Sequence, residues 1–110
     1  MIEKEIIVDN KELFLFLEEF EFFCTDRMNS NKGVSYKLAI KYLCEFLGIK
    51  IMNQDAYELI LKTRSSLQYE SSDLYKELLM FLSRRRQRSY LEKGFIHAAI
   101  NQLILFERKQ

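Results

Sequence analysis

The chain has 110 residues, 48% hydrophobic and 30% charged, with no proline, two cysteines and three glycines, Gly33, Gly48 and Gly94. A single domain of this length (residues 1–110) buries about two thirds of its unfolded surface without metal or disulfide staples, and the balance of apolar and charged residues excludes a disordered chain. So little glycine and proline argues against a β-sandwich or barrel, whose tight turns consume both, and for helices joined by short polar loops.

Net charge is only +1, yet it is unevenly spread. Residues 1–26 hold eight acids against Lys4 and Lys11, a balance of −6, which leaves +7 on residues 27–110. Such polarity points to charged partners or to head-to-tail self-association. The start, Met1-Ile2-Glu3-Lys4-Glu5, mixes charges and leads into no apolar run of the signal-peptide kind. The apolar stretch Leu13–Phe23 is interrupted by Glu18, Glu19 and Glu21 and falls short of the roughly 20 residues a bilayer requires. These features set the expectation of a cytoplasmic protein with no membrane partner. Cys24 and Cys44, each within an apolar run, are expected as reduced, core-filling thiols.

In chain order, residues 2–8 are β-capable but short and read as an extended arm. Asp9 and Asn10 offer cap oxygens for a first helix over 10–28. Its stripe Leu13, Leu17, Phe20, Cys24 is flanked by Phe14, Phe16, Phe22 and Phe23. A helix so apolar on several sides is expected at the centre of its bundle or shared with a partner. Ser30–Gly33 reads as a loop and Ser35 as the cap of a second helix over 35–47, stopped by Gly48 in the left-handed position. Asn53 caps a third helix over 54–67, and Ser72 starts a fourth that carries Leu74, Leu78, Leu79 and Leu82. Ser89 with Glu92 three residues on forms a capping-box pattern ahead of a last helix to near residue 108, in which Gly94 would allow close packing. The competing pattern is one unbroken helix from 72 to 108. The fold class expected is all-α, a compact bundle of four or five helices with a short N-terminal extended arm.

Two surfaces stand out. The first is Arg84-Arg85-Arg86-Gln87-Arg88, with Lys93 beyond it. Residues about 100° apart on a helix make a collar rather than one face. Guanidinium groups donate several hydrogen bonds to phosphate, so the cluster suits a nucleic-acid backbone, DNA or RNA. Basic residues also favour a helix C-terminus, and the collar could instead pair with the acidic first helix. A helix-turn-helix pattern in Leu43–Ile49 would present Asn53, Gln54, Lys62 and Arg64 from the third helix, but the connector Gly48–Met52 exceeds that motif's turn. The second surface is the acidic, phenylalanine-rich first helix. Phe14, Phe16, Phe20 and Phe23 there suit a protein interface, a homodimer included.

No catalytic residue, metal site or cofactor is expected. His97 stands alone, the cysteines lack CxxC spacing, and there is no Gly-rich phosphate loop, HExxH or GxSxG. The expectation is a non-catalytic regulatory or binding protein. It would contact nucleic-acid backbone through its basic C-terminal half, or else dock on a protein as an adaptor, inhibitor or immunity factor through the first helix.

Overall fold

A computed structural model describes residues 2–28 and 32–109, with side chains from Lys11 onward. Among these residues there are six helices and no strand: α1 (Ile2–Met28), α2 (Lys32–Leu47), α3 (Gln54–Ser66), α4 (Asp73–Arg84), the single turn α5 (Ser89–Glu92) and α6 (Phe95–Lys109). The all-α bundle expected from sequence is the fold. The N-terminal arm is not: residues 2–8 are the first turns of α1, and Asp9 and Asn10 lie inside that helix rather than capping it. A lone strand leaves its backbone groups without partners, whereas a helix pairs them within the segment. Glu3, Lys4 and Glu5 are also good helix formers.

The hub is α6, which packs against α1, α2, α3 and α5. Its Ile96, Ala99, Ile100 and Leu103 are buried, together with Phe20 and Cys24 of α1, Ile40, Leu43 and Cys44 of α2, and Leu78 and Leu82 of α4. Of the two places expected for the first helix, the centre of the bundle or a surface shared with a partner, it does not take the first: it packs on one side, against α2 and α6. The loop expected at Ser30–Gly33 is partly helix: α2 begins at Lys32, so Ser35 is internal, while residues 30 and 31 lie outside the described residues. Gly33 sits at a close approach of α1 and α2. A Cβ there would lie 2.7 Å from the Glu21 carbonyl and collide with Thr25.

The middle helices start as their caps dictate. Asn53 Oδ1 accepts the Ala56 N–H at 2.9 Å, and Ser72 Oγ accepts the Tyr75 N–H at 3.1 Å. The Ser72 hydroxyl also donates to the Ser66 carbonyl at 2.9 Å, tying the end of α3 to the start of α4. After α4 the chain breaks and restarts at Ser89, as the first expected pattern has it, but by a different device. Arg86 turns left-handed at φ +59° and ends the helix, so no unbroken helix spans 72–108. The capping box is also not formed. Arg88 occupies the position before α5 without a side-chain cap, and Glu92 accepts instead from the Arg88 guanidinium at 2.9 Å. Gly94, at φ +77°, separates α5 from α6 with open space around it, so its role is the turn rather than close packing.

Candidate functional site

The arginine collar is built by the stop of α4. The Arg86 N–H reaches the Ser83 carbonyl at 3.0 Å and the Gln87 N–H the Leu82 carbonyl at 2.9 Å, the paired bonds of a Schellman stop. This turn fans the arginines into different environments. Arg85 folds back on α4: its guanidinium carbon lies 3.7 Å from the centre of the Phe81 ring, Nη1 donates to the Phe81 carbonyl at 3.2 Å, and Nε faces Glu45 of α2 at 3.7 Å. Arg88 is paired with Glu92. Arg84 and Arg86 are exposed and have no partner among the described residues, and Lys93 is exposed beside Gly94.

Lys62 and Arg64 do not join this cluster. Ser66, just beyond them on α3, meets Ser72 at the opposite end of α4 from the collar, and α4 spans about 18 Å. Lys62 is exposed, while the Nε of Arg64 is buried without a protein partner among the described residues. Asn53 uses its side-chain oxygen as a cap and Gln54 donates to Glu58 at 3.2 Å, so the helix-turn-helix residues at the start of α3 are engaged locally.

The four phenylalanines of the first helix divide. Phe20 is fully buried. Phe16, Phe20 and Phe23 all converge on Phe106 of α6, with ring centres 5.5, 5.8 and 5.2 Å from it. Phe23 also lies within reach of the Arg27 and Lys109 cations. Phe14 alone of the four is exposed, at 58%. Two further apolar residues of α1 are exposed: Phe22, at 74%, and Leu15, at 51%.

Phe14 and Arg85 meet at one groove of about 690 Å³. At the Gly33 end α1 and α2 touch, and midway Lys37 bridges them through Glu18 at 3.0 Å and Glu21 at 2.6 Å. These two carboxylates, Glu21 first, raise the Lys37 ammonium above its ordinary pKa. Beyond this clasp the helices leave an apolar floor of Leu13, Phe14, Leu17, Leu38, Cys44 and Ile49. Lys41, Lys50 and Arg85, all exposed, stand on the rim beside Glu18 and Glu45, and Gly48 also lines the groove. Lys41 and Lys50 are exposed and have no partner among the described residues.

Comparison with known protein families, curated proteins and solved structures finds no match to the chain.

Chemically, the groove offers apolar area with cations at its edge. Its one thiol, Cys44, is pushed up to about 12 by burial and by Glu45, and Cys24 up to about 11 by burial. Thiols so displaced are neutral and inert near pH 7. His97 Nε2 lies 3.1 Å from the Leu67 carbonyl, a structural contact between α6 and the end of α3. Among the described residues, no three His, Cys, Asp or Glu side chains gather to hold a metal, and no helix is long and apolar enough to cross a membrane.

Sequence reasoning treated Phe14 and Arg85 as parts of separate surfaces and passed over Lys41 and Lys50. A signal was present in the spacing Lys37, Lys41, Glu45, which marks one charged edge of α2. Leu15 and Phe22 were also legible, because they lie opposite the stripe Leu13, Leu17, Phe20, Cys24.

Proposed function

We propose that the chain is a non-catalytic protein-binding module whose groove between α1, α2 and the 48–50 turn takes an acidic amphipathic helix from a protein partner. One observation carries this reading: an apolar floor containing the exposed Phe14 is edged by two unpaired lysines, Lys41 and Lys50, and by Arg85. An amphipathic helix laid in such a groove buries its apolar side on the floor and sets its carboxylates against the rim. A displayed library of acidic amphipathic helices, screened against the chain, tests it. Binders should lose at least about tenfold in affinity to the Phe14→Ala variant and to Lys41→Glu/Lys50→Glu. Binders indifferent to all three substitutions would sink the reading.

A second reading, contact with nucleic-acid backbone, is favoured by the Arg86 turn. An arginine held left-handed, where glycine is the easier residue, aims an unpaired guanidinium outward beside Arg84. With Arg88 and Lys93 these groups would meet phosphates, while Arg85 stays on Phe81. Nucleic-acid affinity should then fall steeply with salt and vanish when Arg84, Arg86, Arg88 and Lys93 become alanine. A quadruple variant that binds as the parent does would remove this reading.

A further inference from the structure

We infer that the acidic helix the groove accepts is α1 of a second copy of this chain, an inference that rests on the groove reading above. Leu15 and Phe22 are seven residues apart, within about 20° of each other around the helix and about 10 Å along it. Both are exposed, Phe22 more than any other large apolar side chain among the described residues. Around them stand the exposed carboxylates of Glu12, Glu19 and Asp26, while Glu18, at the border with the groove, is held by Lys37. The outer face of α1 is therefore an acidic amphipathic strip, the chemistry the groove calls for. No other helix among the described residues pairs exposed apolar residues with so much negative charge.

The placement of strip and groove sets the symmetry. They occupy adjacent sides of the same helix, since Leu13, Phe14, Leu17 and Glu18 of α1 line the groove while Leu15 and Phe22 look away from it. Two copies related by a two-fold axis can each give a strip and receive one. Such a contact uses the same patch twice and closes at a dimer.

Sedimentation velocity on the full chain at about 100 µM, well above a Kd of about 1 µM, should show a dimer. Phe22→Glu, at a solvent-facing site, should sediment as a folded monomer, with circular dichroism verifying its helix content. A charge exchange gives the sharper test. Glu19→Lys/Asp26→Lys sets lysines against the partner's Lys41 and Lys50, and Lys41→Glu/Lys50→Glu sets acids against acids. Each double variant alone should be monomeric, and an equal mixture of the two should restore the dimer, since every strip then faces a groove of opposite sign. A monomeric parent, an assembly larger than two, or a mixture that stays monomeric would overturn the inference. If the parent is monomeric while library helices still bind in the groove, only self-pairing falls. A dimer indifferent to Lys41→Glu/Lys50→Glu, together with an empty library screen, would take the groove reading down with it.

Discussion

Two helices of this protein end in the same hydrogen-bonded turn, one on glycine and the other on arginine. At the end of α2 the Gly48 N–H reaches Glu45 at 3.3 Å and the Ile49 N–H reaches Cys44 at 2.9 Å, with Gly48 at φ +75°. At the end of α4 Arg86 and Gln87 repeat the pattern on Ser83 and Leu82. A left-handed residue with a Cβ costs about 1 kcal/mol or more, so the second stop is the less favourable one. The turns are also neighbours, because Arg85 of one stop faces Glu45 of the other across the groove wall. A local rule kept at one end and broken at its neighbour places the departure among the side chains rather than in the backbone. Such departures concentrate where a surface has work to perform.

The largest difference between the two ends should appear in alkali. The Gly48 stop closes over Cys44, whose thiol burial and Glu45 push from 9 to about 12, whereas the Arg86 stop closes over Leu78 and Leu82, which do not titrate. The unfolded thiol ionises from about pH 9 and the folded one does not until about 12. Stability is therefore constant below pH 9 with respect to this group and falls as pH rises through that window. Cys24, raised to about 11, adds to the same slope. The unfolding free energy from urea titrations should drop between pH 9 and 11 by an amount on the order of 3 kcal/mol. Tyr57, raised to about 12 by burial, adds to it as well, so Cys44→Ala should flatten that slope only in part, and an unchanged slope would show that the thiol is not shielded as the fold requires.

Next in size is the backbone itself. Gly48→Val forces a β-branched residue into the left-handed region and should cost about 2 kcal/mol in chemical denaturation. Arg86→Val adds only the branch to a cost already present, so it should lose less than half as much. Equal losses would mean that the two stops are not alike. The reverse change, Arg86→Gly, should stabilise by about 0.5–1 kcal/mol. If Arg86 serves phosphate contact, the same variant should gain stability while losing nucleic-acid affinity, the trade-off expected at a strained functional position.

These two turns also mark what the sequence made legible. Gly48 was readable because glycine is the residue a left-handed stop selects, and Asn53 and Ser72 because a cap needs only a side-chain oxygen three residues from an N–H. Arg86 was not, since propensity gives no reason to place arginine at a positive φ. The error then propagated: without that turn, Ser89 and Glu92 look like a capping box, while in the fold Glu92 belongs to Arg88. The N-terminal arm was misread because Ile2, Ile6, Ile7 and Val8 suit a strand, and only the absence of a pairing strand among the described residues decides for helix. The groove was beyond local reading altogether. It depends on Gly33 drawing α1 and α2 together at one end, a tertiary contact that sequence presented as a loop glycine.

The smallest effect expected is the link between the two stops. Arg85 and Glu45 are each about two-fifths exposed and 3.7 Å apart, a geometry that screened surface pairs hold weakly. The stack of the Arg85 guanidinium on Phe81 is tighter, and it needs the flat guanidinium plane that lysine lacks. Arg85→Lys keeps the charge and loses the plane, so it should cost about 0.5–1 kcal/mol, whereas Glu45→Gln should cost no more than a few tenths. A double-mutant cycle separates the two contributions: the Arg85–Phe81 coupling should persist in about 1 M salt, where the Debye length is near 3 Å, and the Arg85–Glu45 coupling should fade. Were the Glu45 coupling the larger and salt-resistant one, the two helix stops would be joined by charge rather than by the ring. Arg85 would then be fixed to α2 as part of the groove wall, no longer able to swing toward an incoming carboxylate.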